Sequence, residues 1–97
     1  MNTKQLCKKL RKEFREGVFK RDDHKCKVCG KPAQDAHHIT DRHYMPNDGY
    51  ALSNGISLCG GCHIKAETGF ILAYDLYKLI ESSYGKALED SDNLIPG

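Results

Sequence analysis

A small α+β domain, with two short strands stapled by cysteines and a helix on either side, is the fold class that the sequence predicts. Three observations predict it. Leu6, Leu10, Phe14 and Val18 recur every four residues, the period of an amphipathic helix. Cys26-x-x-Cys29 and Cys59-x-x-Cys62 form two matched pairs. Between the pairs lie two short strand-like runs, Gln34 to Thr40 and Gly55 to Leu58. The 97 residues, 39% hydrophobic and without Trp, make one domain with a limited core. A domain of that size commonly needs a disulfide or a metal to hold it.

The elements follow in order. The first helix runs over 3–21, with Thr3 as its N-cap and Cys7 widening the apolar stripe as a buried free thiol. The central core covers 25–68. It opens on a tight turn, Lys25 to Lys31, with Gly30 just after the second cysteine. The first strand is followed by a loop over 41–54 holding Pro46, Asn47, Asp48 and Gly49. Gly49 and Gly55 are read as turn glycines. After the second strand, Cys59 to Cys62 makes a second turn that starts a helix, which Gly69 ends or bends. A C-terminal helix over 70–84 carries Ile71, Leu72, Tyr74, Leu76, Tyr77, Leu79 and Ile80 and stops at Gly85. Its apolar side chains are expected on the N-terminal helix. The domain thus spans 1–85, and 86–97, with Glu89, Asp90 and Asp92, reads as a mobile acidic tail.

The cysteines narrow the chemistry. The N-terminus (Met1, Asn2, Thr3, Lys4) leads into charged helix rather than a leader, and no apolar run approaches the ~20 residues of a membrane span. A cytoplasmic setting follows, where thiols stay reduced and paired cysteines serve metals. Two such turns can close a tetrahedral zinc site from Cys26, Cys29, Cys59 and Cys62; disulfides and unpaired thiols are the alternatives. The spacing between the pairs exceeds the roughly 15–20 residues of a simple ribbon, so something is inserted between the knuckles.

The insert holds a second set of polar residues: Asp35, His37, His38, Asn54, His63 and Glu67. Closing the cysteine site would pair the strand after Cys29 with the strand before Cys59. His63 and Glu67, four apart on a helix, share one face. His37, His63 and Glu67 could then aim at one point and form a second metal site with open positions, as catalysis requires. Asp35 is a candidate acceptor for an imidazole N–H.

The ordered set Cys-x-x-Cys, His37-His38-Ile39, and Asn54-Gly-Ile-Ser-Leu-Cys-x-x-Cys-His63 resembles an HNH endonuclease with the ββα-metal fold, in the phage-type branch whose two CxxC pairs flank the core. The likeness runs from about Phe14 to Glu67. It implies a ββα core stapled by structural Zn²⁺. It implies His37 and His63 as ligands of a catalytic divalent metal, His38 as general base, and Asn54 orienting the base or holding the loop. Glu67 stands where the family often has His or Asn; it could ligate directly, ligate through water, or support Lys65. Mg²⁺ or Mn²⁺ suits such a site, and Zn²⁺ or Ni²⁺ is possible for this donor set. The two adjacent histidines would then divide two jobs at one site, His37 holding the cation and His38 taking a proton from water. Because neighbours on a flat strand point to opposite faces, the strand must bend or end there.

The charge agrees with a polyanionic partner. Residues 1–31 hold eleven Lys/Arg against four acids, +7, while the whole chain is +2, leaving −5 for the rest. DNA, contacted mainly through phosphates, is the expected partner, with no membrane. Arg42 and Lys65 could bind a phosphate or make surface ion pairs, and His24 and His43 read as surface residues. The setting implied is a bacterial or phage-infected cell. A non-catalytic zinc-held DNA- or RNA-binding module and a structural docking protein are the alternative functions. Oligomeric state, target sequence and nicking against double-strand cutting leave no mark in the sequence.

Overall fold

The computed structural model describes residues 2–95. It is an α+β fold of four α-helices and one two-stranded antiparallel sheet. Helix α1 (Thr3–Arg21) has the predicted span, but its N-cap is Asn2 rather than Thr3: the Asn2 side chain accepts from the Gln5 amide and the Gln5 side chain accepts from the Asn2 amide. This reciprocal pair satisfies two backbone donors that a helix start leaves free. At the other end, Arg21 grips Asp22 through two 2.8 Å bonds and donates to the carbonyls of Leu52 and Gly55. Asp22 accepts from the Ser57 amide at 2.9 Å. Burial pushes the Asp22 carboxyl up, but the bonds from Arg21 and Ser57 outweigh it and hold the group below its ordinary value.

Strands β1 (Asp35–His38) and β2 (Gly55–Leu58) pair in the register Asp35–Leu58, Ala36–Ser57, His37–Ile56, His38–Gly55. The period-two alternation sorts the pairs onto two faces. Ile56 and Leu58 join a core with Cys26, Cys59, Cys62, Leu76 and Tyr77. Ala36 packs with Phe14, Val18 and Tyr50 on the α1 side, where the Ser57 hydroxyl donates to the Val18 carbonyl. Gly55 is therefore not a turn glycine. A Cβ there would lie 2.5 Å from Val18 Cγ2 and 2.6 Å from Phe14 Cε2. Gly49, by contrast, has φ +65 and is a turn glycine as expected. Gly55→Ala should cost about 1–3 kcal/mol by overpacking. Gly85→Ala, whose nearest neighbour is Ser83 Oγ at 4.0 Å, should stabilise by about 0.5–1 kcal/mol. Urea denaturation of the two variants reads both signs.

The loop after β1 is ordered by two short 3-10 turns, Arg42–Tyr44 and Leu52–Asn54, with a left-handed kink at Asn47 and Asp48 between them. Helix α2 (Gly60–Glu67) follows β2 directly, with Cys59 as its N-cap.

The C-terminal third departs from the sequence reading. The helix expected over 70–84 is shorter, α3 (Ala73–Leu79), and a second helix, α4 (Tyr84–Asp92), follows it. Between them Glu81 turns left-handed at φ 54, the Ser82 hydroxyl donates to the Ser53 carbonyl, and the Ser83 hydroxyl caps α4 by accepting from the Lys86 amide. Gly85 is inside α4 rather than a stop. The expected mobile tail is this second helix: Ala87 and Ser91 are fully buried, Asp90 accepts from Ser53 Oγ at 2.7 Å, and the Ser91 carbonyl accepts from Asn47 at 2.8 Å. Residues 96–97 of that tail lie outside the described residues. The apolar side chains over 70–80 do not pack on α1 as expected, although Leu94 does reach the Phe14 and Val18 cluster. Leu76 and Tyr77 join the core on the other face of the sheet, while Phe70, Leu72 and Tyr74 are exposed. Cys7 is a free thiol, half-buried rather than buried. Among the described residues no helix is long and apolar enough to cross a membrane.

Candidate functional site

Two polar constellations sit on either side of α2. The first is the four cysteines. Cys26 and Cys29 come from the turn after α1, closed by bonds from the Cys26 amide to the Lys31 carbonyl and from the Gly30 amide to the Cys26 carbonyl, with Gly30 left-handed at φ 82. The Lys27 amide donates to the Ser57 carbonyl and ties this knuckle to β2. Cys59 and Cys62 come from the start of α2. All four sulfurs lie within 4.8 Å of one another, and Cys29 Sγ is 3.5 Å from Cys59 Sγ. Thiolates around one zinc at about 2.3 Å would stand roughly 3.8 Å apart, so the cluster is positioned to hold a metal ion, and four thiolates are a set that zinc takes. Burial raises the Cys26 thiol, but amides of Cys29, Cys59 and Val28 bring it down to about 6, while burial and the neighbouring thiols push Cys62 up to about 12. A bound cation would resolve that conflict by displacing the protons.

The second constellation lines an open cavity of about 650 Å³ that includes His37, His38, Arg42, His63 and Glu67. Asp35 and His37 lie two apart on β1 and so face the same way, toward α2. There His63 Nδ1 is 3.1 Å from Asp35 Oδ2, and His63 Nε2 is 3.1 Å from Glu67 Oε1. Asp35 is thus within hydrogen-bond distance of the His63 imidazole. When Nδ1–H donates to Asp35, Nε2 presents a lone pair to a Glu67 oxygen. Two acceptors at that distance need a shared proton or a cation between them. The His37 ring lies 5.1 Å from that of His63. Burial, and next the charge of His63, lower the His37 pKa to about 4, so its imidazole is a neutral donor at neutral pH. Among the described residues, only the four cysteines bring three or more such donor atoms within 4.8 Å of each other; His37, His63 and Glu67 are neighbours without that convergence.

His38 points the opposite way from His37. Its ring stacks on Phe14 at 4.5 Å and 23° and meets Tyr50 edge-on at 5.2 Å. Gly55, its partner across the sheet, leaves the space that Phe14 occupies. Burial first, then the nearby Arg42 charge, lowers the His38 pKa. Its Nε2 is buried without a protein partner among the described residues, an arrangement that buried polar atoms rarely keep without a reason. The strand ends at His38, whose ring lies on the face opposite that of His37 although both residues border the cavity.

Asn54 causes that ending. It is fully buried. Its backbone carbonyl accepts from the Ile39 amide, its Oδ1 accepts from the Thr40 amide and the Tyr77 hydroxyl, and its Nδ2 donates to the carbonyls of Thr40 and Gly49. Asn54 does not line the cavity, and among the described residues its side chain makes no hydrogen bond to His38. Its side chain ties together the loop backbone at Thr40 and Gly49. Lys65 is placed elsewhere too, beside Val28, Ile64 and Phe70 on a separate apolar surface. Arg42 does line the cavity. His24 is exposed as expected. His43 is also exposed, but it borders the cavity, with its Nδ1 2.8 Å from Asp41 Oδ1. The sequence reading missed Phe14 and Tyr50 as the cradle of His38, and Thr40 and Tyr77 as partners of Asn54. Only the Asp41 turn carried a local signal, an Asp two residues before the amide it caps.

No protein-family model, curated protein or solved structure matches the chain.

Proposed function

We propose that the protein is a metal-dependent endonuclease of the HNH type that hydrolyses DNA phosphodiester bonds, with a structural zinc held by Cys26, Cys29, Cys59 and Cys62. One observation carries the reading: His37, His38, His63 and Glu67 line one open cavity, with a carboxylate behind His63. His38, neutral at neutral pH and fixed by aromatic neighbours, is the general base that takes a proton from the attacking water. His37, His63 and Glu67 are the residues that would hold the catalytic cation, Mg²⁺ or Mn²⁺, with Zn²⁺ or Ni²⁺ also compatible with the donors. That cation would supply positive charge to the scissile phosphate and the leaving 3′ oxygen. Asp35 fixes the His63 ring, Arg42 meets a backbone phosphate at the rim, and Asn54 keeps the chain after His38 in place. Products would carry 5′-phosphate and 3′-hydroxyl ends.

The test is a short labelled duplex incubated with zinc-loaded protein and added Mg²⁺ or Mn²⁺. Cleavage that requires the added metal, with those ends, is expected. A second reading, a zinc-held DNA-binding module without chemistry, draws on the one convergent metal-sized group being the cysteine cluster. That convergence holds among the described residues, and the reading predicts binding with no cleavage in any metal.

A further inference from the structure

We infer that one side of α1 is a docking rail for the phosphate backbone of duplex DNA, ending at the His38 cavity. The inference rests on the DNA reading above and deepens it. On a helix of about 3.6 residues per turn, Lys4, Lys8, Arg11, Lys12 and Arg15 fall within about 100° of arc, to one side of the buried stripe of Phe14 and Val18. All five are exposed, and none forms an ion pair among the described residues. Of the other bases of the helix, Lys20 is also exposed and unpaired but falls on the far side, near Lys9. Lys9 pairs with Glu13 at 3.9 Å, and Arg21 is committed to Asp22 and to the carbonyls of Leu52 and Gly55. Glu16 borders the row beside Lys12, and Glu13 lies on the far side. A row of unpaired cations with no carboxylate inside it fits a polyanion with evenly spaced charges. From Lys4 to Arg15 it spans about 16 Å at about 1.5 Å per residue.

The row also has a direction. Arg11 Nε donates to the Tyr50 hydroxyl at 3.5 Å, and the Tyr50 ring lies 5.2 Å from that of His38. Phe14, one residue before Arg15, stacks on His38 itself. None of the five lines the cavity itself, so the rail is inferred to hold a strand beside it, on the α1 side of His38. Phosphate contacts of this kind set register without reading sequence.

The test is binding of a fluorescent duplex by zinc-loaded protein without added divalent metal, measured against salt. The variant Lys8→Gln/Lys12→Gln/Arg15→Gln is compared with the charge-matched Lys20→Gln/Lys25→Gln/Lys31→Gln, with far-UV CD verifying the fold of both. The row variant should lose about 2.7 from the log–log salt slope and bind on the order of 100-fold more weakly at moderate salt, while the control changes the slope by less than about 1. Equal losses in the two variants would overturn the rail, because net charge alone would then explain them. So would an unchanged slope in the row variant, which would assign the row to another partner. The outcomes separate from the nuclease reading. Row-dependent binding without cleavage leaves the rail and removes the chemistry, whereas cleavage with row-independent binding does the reverse.

Discussion

Stripping the metal from the four-cysteine cluster should unfold the domain. The cluster joins the turn after α1 to the start of α2, and its buried members, Cys26, Cys59 and Cys62, belong to the same core as Ile56, Leu58, Leu76 and Tyr77. Without a cation, four sulfurs within 4.8 Å of one another must share protons in a largely buried space. Structural zinc sites of small domains contribute an apparent ~10–16 kcal/mol, more than the ~5–15 kcal/mol of net stability typical of a domain. Cys59→Ser is the most damaging single change, because Cys59 is both a cluster member and the N-cap of α2, its sulfur accepting from the Cys62 amide. Cys7→Ser is the control: Cys7 is a free thiol outside the cluster and should cost less than about 1 kcal/mol. Metal content by mass spectrometry and far-UV CD melts, with and without a strong chelator, check the claim. A metal-free chain that keeps its helices and its cooperative melt would contradict it.

His38→Ala should lower the rate of DNA cleavage by about 10²–10⁴, the usual contribution of a general base, while leaving zinc content and DNA binding in place. The loss belongs to the chemical step, so it should appear in single-turnover rates rather than in binding. Because the ring packs on Phe14 and Tyr50, the truncation also removes some apolar contact, and His38→Gln serves as a better-filled companion. His63→Ala should differ in kind. It takes away a proposed metal ligand and leaves Asp35 and Glu67 without their shared partner, so raising the metal concentration should recover part of the activity. Recovery of His38→Ala by added metal would argue that His38 holds the cation rather than moving the proton.

Much of the site is legible in the sequence where local periodicity decides geometry. Asp35 and His37 share a strand face by the period of two, and His63 and Glu67 share a helix face by the spacing of four; the structure brings these two faces together across α2. The span of α1 follows from its four-residue apolar repeat. The errors fall where a tertiary bond overrides local preference or where a short signal was passed over. The Asn2–Gln5 capping box and the Ser83 cap were both available, yet Thr3 and a continuous helix were the expectation. The first strand is shorter than predicted because Asn54, fourteen residues beyond Thr40, takes over the backbone of Ile39 and Thr40. The C-terminal segment looked like a solvated tail because Glu89, Asp90 and Asp92 dominate it, but Ala87 and Ser91, four apart, bury one face of a helix against the loop after β1. The cradle of Phe14 and Tyr50 around His38 joins residues distant in the chain, and no local pattern announces it.

The proposal stands most directly on one measurement: supercoiled plasmid incubated with zinc-loaded protein, in Mg²⁺, in Mn²⁺ and without added metal, beside folded His38→Ala. The account predicts conversion to open-circle or linear DNA only with added metal, reduced by about 10²–10⁴ in the variant. Plasmid left intact in every metal by a folded, zinc-loaded, DNA-binding protein, or cut equally well by His38→Ala, would contradict it.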